Sequence, residues 1–291
     1  YKIELKKNKG TWRGQRTINL NKHMTEGMRF RNKLAYDLIR GIPQMVGLRT
    51  QFVHLYVKDN TEEPGGKFED YGIYTQVEQL NKTALKSHGL DSNGQLYKIN
   101  SFEFYRYEDI IKKEDDAGYD KTAFEKMLEI KGDSDHTKLI DMLTDLNDYS
   151  IGIEDVLKEH FDEENIVYWM AFQILMGNVD TQNRNVYLYS PLNSDIWYFI
   201  AWDNDGCLMR PEYELRNFSD QNSWEKGISN YWGNILFQRC LKSRSFREKL
   251  NDAILDLREY LNKDMLTSKI ESYKNVLKPY LYLMPDAEYE P

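Results

Sequence analysis

The sequence predicts an α+β fold, with strands dominating the first hundred residues and helices the rest. Three observations carry this. Apolar and polar residues alternate with period two in runs such as 51–57 and 71–79. From Lys121 onward the apolar spacing is helical. Between them, residues 162–206 read as one unit made of an almost wholly apolar helix, a polar loop, a hairpin and a second acidic loop.

In chain order, 1–5 and 16–20 alternate as strands, with Gly10 and Gly14 punctuating between them. Residues 29–39 give a helix with Phe30, Leu34 and Leu38 on one face, stopped by Gly41-Ile42-Pro43. The runs 51–57 and 71–79 form a hairpin around the charged, Gly- and Pro-bearing tip 58–70. A short helix at 80–88 and a further strand at 95–99 complete a first unit, residues 1–100. The Glu-, Asp- and Lys-rich run 105–119 reads as a solvated linker or insertion. The second unit, 101–291, is helical at 121–130, 135–146, 153–161 and 163–176. After an irregular stretch, 206–231, helices return at 233–242, 245–261 and 264–281.

A chain of 291 residues can bury a large core. Its net charge of −8 speaks against a nucleic-acid surface and for a neutral or basic protein partner. No apolar run approaches the roughly 18 residues of a membrane span, and no signal peptide is visible. A chain opening on Tyr1 inside a strand-like run is expected to be cut from a longer one. Cys207, Cys240 and scattered histidines match neither a zinc site nor a disulfide framework.

The chemistry concentrates in the polar loop from Asn178 to Asn185, at the mouth of the buried helix. Strands 186–189 and 196–202 return the chain, and a hairpin brings its two ends together. Asp203-Asn204-Asp205-Gly206 is therefore expected beside Asp180. Phosphoryl transfer wants this layout: a carboxylate that orients the acceptor hydroxyl and takes its proton, an Asn five positions on at a metal, and a second Asp on the Mg²⁺ that bridges the phosphates. Asp180, Asn185 and Asp203 fall in that order, and Asp205 either ligates the metal or caps the turn. Each loop alone is an ordinary turn; the ordered combination carries the signal. Tyr97 and Trp197, on strands near the junction of the units, are candidates to sandwich an adenine, with plain core as the alternative. Arg29 and Arg31 are either phosphate contacts or a solvated helix face. Together these predict a two-lobed, protein-kinase-like fold, with an antiparallel-sheet first lobe and a mainly helical second, whose phosphoryl transfer would use Mg²⁺ or Mn²⁺. The common kinase signatures G-x-G-x-x-G, V-A-I-K, H-R-D and D-F-G are absent, which makes any such kinase atypical.

Several stretches resemble the spore coat protein H (CotH) kinase family: Arg31-Asn32-Lys33-Leu34, Phe52 to Val57, Gly72 to Glu78, Leu96-Tyr97-Lys98, Asn178 to Asn185 and Ile200 to Asp205. The Trp-Asp-x-Asp element at 202–205 is the most specific. The resemblance covers nearly the whole chain. It implies an ATP-dependent kinase acting on Ser or Thr of a protein, with Asp180 as the catalytic carboxylate and Asp203 at the metal. For Glu78 it implies the Glu that holds a phosphate-binding Lys, against the alternative of a surface carboxylate on a strand. Family members carry an Arg-Gly-rich turn and a Lys-Lys segment upstream of the strand that 1–5 resembles. The chain is read as starting after it, which leaves Lys98 as the candidate phosphate partner. Coat or surface proteins are the implied substrates, expected here to be basic and Ser-rich, and a spore-coat, secreted or cell-surface location follows. Other readings stay open: a kinase-like structural or binding protein without turnover, and a nucleotidyl transferase. A Ca²⁺-stabilised fold fares worst, because Gly206 and Cys207 fall at positions four and five from Asp203 and so break EF-hand spacing.

Overall fold

The computed structural model describes residues 1–23, 29–61, 65–178, 180–208 and 231–289. It is α+β, with two four-stranded antiparallel sheets and, among the described residues, nine α-helices.

The first sheet holds β1 (Lys2–Glu4), β2 (Thr17–Asn21), β3 (Thr50–Val57) and β4 (Glu69–Glu78) in the order β1-β2-β4-β3. Helix α1 (Arg31–Ile39) connects β2 to β3 and buries Leu34, Ala35, Leu38 and Ile39. Strand β4 is buried at every residue from Gly72 to Glu78. Successive side chains on a strand point to opposite faces, so both faces of this sheet are covered. The cover comes from far along the chain. Helix α9 (Lys263–Leu281) packs on β4, and its Tyr273 ring lies 5.8 Å from Phe30 and 5.6 Å from Phe52. The Tyr273 hydroxyl donates to Asp37 Oδ2 at 2.6 Å. Beyond α9, buried Asp286 accepts the Ile73 amide at 2.8 Å and pairs with Lys22 at 2.8 Å.

The strand expected at 95–99 is β5 (Gln95–Ile99), but it does not extend the first sheet. It sits inside the second, ordered β6-β5-β7-β8, with β6 (Leu128–Ile130), β7 (Val186–Ser190) and β8 (Tyr198–Ala201). Strand β6 corrects the helix expected over 121–130. Helix α3 (Lys121–Met127) stops at Met127, and Leu128-Glu129-Ile130 pairs with Ile99, Lys98 and Tyr97. A short apolar run satisfies either period, and an open strand edge decided this one. The 105–119 segment is also more than a linker, since Ile111 is fully buried and Arg106 bonds back to its carbonyl at 2.8 Å.

The other helices are α2 (Lys82–Ser87), α4 (Thr137–Asn147), α5 (Ile153–His160), α6 (Glu163–Leu175), α7 (Ile235–Lys242) and α8 (Arg244–Tyr260). Asn81, Asp120, Asp162, Asn234, Ser243 and Asn262 cap α2, α3, α6, α7, α8 and α9 with side-chain oxygens. The apolar helix α6 is the core element expected. Trp169 stacks on Phe237 at 5.5 Å and meets Phe199 of β8 at 5.1 Å. Its buried Asn165 amide brackets Phe199: Oδ1 accepts that residue's N–H at 2.7 Å and Nδ2 donates to its carbonyl at 3.2 Å. Strand β8 is a sheet edge, and this helix satisfies its backbone. Most of the irregular stretch expected at 206–231 lies outside the described residues. No described helix is long and apolar enough to cross a membrane.

Candidate active site: two acidic loops joined by a hairpin

Helix α6 closes on Gly177, whose φ is +58°. The Asn178 amide bonds to Gln173 O at 3.0 Å and the Gly177 amide to Ile174 O at 3.1 Å. This paired C-terminal motif needs a left-handed residue, which glycine adopts freely. Asn178 then turns the chain: Nδ2 donates to Gln173 Oε1 at 2.9 Å, and Oδ1 accepts the Asp180 amide at 3.2 Å. Asp180 is thereby set at the end of a buried helix.

The Asp180 carboxylate is half-exposed, and only one of its oxygens is hydrogen-bonded. Asn185 Nδ2 donates to its Oδ2 at 2.9 Å and to its carbonyl at 3.0 Å. The other oxygen, Oδ1, lies 3.7 Å from Arg184 Nε. Asn185 has φ of +56° and continues into β7, and its carbonyl accepts the Trp202 amide at 3.2 Å. That bond extends the β7–β8 pairing by one rung and carries the chain to Asp203. The loop is further pinned by Glu103, which accepts Asn183 Nδ2 at 2.9 Å and the Tyr107 hydroxyl at 2.9 Å. Burial and that carboxylate raise the Tyr107 hydroxyl to about 12.

Asp203 takes a left-handed backbone, φ +50° and ψ +67°, ahead of a 3-10 turn at Asn204–Gly206. Helix α1 holds this turn by its backbone. The Asp203 amide donates to the Tyr36 hydroxyl at 2.8 Å, and the Asn204 amide to Asn32 Oδ1 at 3.1 Å. Gly206 packs the two loops together, because a Cβ there would lie 2.6 Å from Asn178 Oδ1 and 3.3 Å from the Asp180 Cβ. Burial lifts the Asp203 carboxyl to about 6; Asp205 raises it further, Lys98 partly offsets this, and Asp180 adds to the rise. The structure thus brings Asp180, Asn185, Asp203, Asp205 and Lys98 into one neighbourhood.

The Asp203 side chain makes no cap bond at the start of this turn, and within it lies Asp205. Its neighbour is His23, with Nδ1 4.0 Å from Asp205 Oδ2. Burial lowers the His23 pKa, Asp205 partly offsets this, and Arg29 and Arg31 lower it further. Among the described residues, no three His, Cys, Asp or Glu side chains form a closed metal cage. Asp203, Asp205 and Asn185 offer instead the sparse oxygen set with which Mg²⁺ is held while it keeps several waters. The fit of a cation is supported by Asp203 itself, whose ionised form is disfavoured by burial and by two neighbouring carboxylates.

The remaining predicted residues stand elsewhere. Tyr97 and Trp197 are fully buried, their rings 6.0 Å apart, and Tyr97 bonds to His136 Nδ1 at 2.7 Å. Neither offers an open face to an adenine, and their place here is that of core aromatics. Glu78 is fully buried and held by Arg49 and by His88 Nε2 at 2.9 Å, so its cationic partner is an arginine rather than a lysine. Burial alone would raise its pKa, but the bonds from His88 and Arg49 hold it at about 2. Lys98, half-buried on β5, has no carboxylate within ion-pair distance among the described residues.

Sequence reasoning missed His23, Asn32, Tyr36 and Glu103. The i, i+4 spacing of Asn32 and Tyr36 was visible, but what they face lies about 170 residues away. It read Gly10 and Gly14 of the β1–β2 connection, both at φ +76°, only as punctuation, although Lys6, Lys7, Lys9, Arg13 and Arg16 accompany them. The chain thus has a basic, glycine-bearing turn of its own.

Fold and site together define an α+β protein whose candidate site is a pair of acidic loops at the open end of one hairpin. The family model described as CotH kinase protein matches residues 1–291, and the chain belongs to that family. It is similar to the inner spore coat protein H of Bacillus subtilis (strain 168), 23% identical over 279 residues, covering 94% of this chain and 71% of the relative.

Proposed function

We propose that this protein is an atypical kinase that transfers the γ-phosphate of ATP to Ser or Thr of a protein substrate. The observation that carries the reading is the packing of the Asp180 and Asp203 loops against each other through Gly206, in the order phosphoryl transfer requires. Asp180 Oδ2 is occupied by Asn185, which leaves Oδ1 as the oxygen to orient an acceptor hydroxyl and take its proton. Asp203, Asp205 and Asn185 would hold Mg²⁺ or Mn²⁺, which supplies charge neutralisation at the phosphates. Lys98 and the basic β1–β2 turn are the cations available to phosphate oxygens. The relative is an inner spore coat protein, and we place this chain in a spore coat, with a basic, Ser-rich coat protein as the fitting acceptor for a molecule of net charge −8.

The test is transfer from γ-labelled ATP with Mg²⁺ or Mn²⁺ to a basic, Ser-rich coat protein, followed by intact-mass measurement. One phosphate per site on Ser or Thr, lost in Asp180→Ala, is expected. Addition of a whole nucleotide would make the protein a nucleotidyl transferase, and nucleotide binding without transfer would make it a structural coat protein.

A further inference from the structure

The backbone bond from Asn204 to Asn32 fixes more than the turn. A backbone N–H can only donate, so the Asn32 atom 3.1 Å from it must be the amide oxygen. Asn32 Nδ2 therefore points the other way, to His23 Nε2 at 3.1 Å. An amide nitrogen can only donate, so Nε2 must be the bare, accepting nitrogen of the ring. The proton of the neutral ring then sits on Nδ1, the nitrogen 4.0 Å from Asp205 Oδ2. The ring is nearly enclosed, with 7% of its side chain exposed, which leaves it little freedom to choose another partner.

A ring nitrogen and a carboxylate oxygen 4.0 Å apart can share one metal ion at about 2.0–2.2 Å each when they lie nearly opposite one another across it, as two ligands of an octahedral ion can. What prevents it is the proton on Nδ1, because a metal needs the lone pair. We infer that Asn32, by fixing the tautomer of His23, keeps an imidazole out of the cation site at Asp203 and Asp205 and so makes that site select hard, oxygen-preferring cations. With only oxygen donors the site suits Mg²⁺ and Mn²⁺; with an imidazole it would suit Zn²⁺ and Co²⁺. The inference rests on the cation reading of these two carboxylates given above.

Asn32→Asp provides the test, since it keeps an oxygen for the Asn204 amide while its second oxygen can only accept. His23 Nε2 must then carry the proton, which frees Nδ1. The full chain with ATP is titrated with Mn²⁺ and with Co²⁺ by calorimetry, and Co²⁺ is also followed by its visible absorption, which reports nitrogen ligation. Asn32→Asp is expected to raise the ratio of Co²⁺ to Mn²⁺ affinity by roughly 10–100-fold. The added charge alone would strengthen both ions alike. Asn32→Asp combined with His23→Gln keeps that charge and should return the ratio to the parent value. An unchanged ratio in Asn32→Asp, or a raised ratio that survives loss of the imidazole, overturns the inference. If the parent binds neither ion, the cation reading is what has failed, and the inference falls with it.

Discussion

Asp203→Asn should stabilise the protein when divalent cations are absent. The folded state moves the Asp203 carboxyl from 3.8 to about 6. At about 1.4 kcal/mol for each tenfold change in proton affinity, ionising it costs the folded state about 3 kcal/mol, or about 2 kcal/mol after allowing for partial exposure. The sign follows from linkage. A carboxyl whose folded pKa is raised favours folding fully below its unfolded value of 3.8 and loses that contribution as pH rises through about 6. Asparagine imitates the protonated acid and removes the penalty. Urea denaturation in chelator at pH 8 should therefore show the variant more stable by about 2–3 kcal/mol, with the gap shrinking as pH falls below 6 and vanishing under 3.8. Adding Mg²⁺ and ATP should reverse the order, because only the parent can use them. A variant no more stable than the parent at pH 8 in chelator would show that Asp203 is not strained, and the account of the site's charge would be wrong.

The two aspartates should separate by assay. With Mg-ATP at about a hundred times its Kd, the parent should gain ~2.7 kcal/mol; Asp180→Ala should keep that gain yet lose turnover, and Asp203→Ala should lose both, as read by thermal shift and phosphate transfer. Glu78→Gln should destabilise by about 2–3 kcal/mol, through the loss of a buried charge from Arg49 and His88. Because the Glu78 pKa is depressed to about 2, its contribution is present above 4.5 and lost as pH falls toward 2, so the variant's acid unfolding curve should be flatter over that window. Gly206→Ala forces a methyl to within 2.6 Å of Asn178 Oδ1. It should cost about 1–3 kcal/mol and weaken the Mg-ATP gain, whereas an unaltered gain would mean the loops do not work as a pair.

The parts of this site that were legible in the sequence are those fixed locally. Asp180, Asn185 and Asp203 are brought together by one hairpin, and alternation over Val186 to Tyr189 and Tyr198 to Ala201 shows that hairpin directly. The partner of β5 was not legible, because an apolar strand does not say which of two sheets will take it, and β7 lies some ninety residues on. The same holds for Tyr97 and Trp197, since an aromatic residue on a strand has one pattern whether its face is open or buried. Glu78 could be picked out as a carboxylate in need of a cation, but Arg49 and His88 come from two other elements. His23 and Asn32 escaped for a related reason: their meaning lies in a hydrogen-bond sequence that exists only after α1 has docked on the 203–206 turn.

The seal on the first sheet has a consequence for how the molecule is made. Strands β1 to β4 are all synthesised by residue 78, yet Phe52, which receives Tyr273, and the Ile73 amide, which receives Asp286, must wait until α9 and the segment beyond it have been made. A ribosome adds about 5–20 residues per second, so this sheet stands half-covered for ten seconds or more on that scale while the rest emerges. During that interval Ile73 is open to other apolar surfaces. The first sheet is thus made well before the helix that finishes it, and it is where a chaperone would have the most to shield.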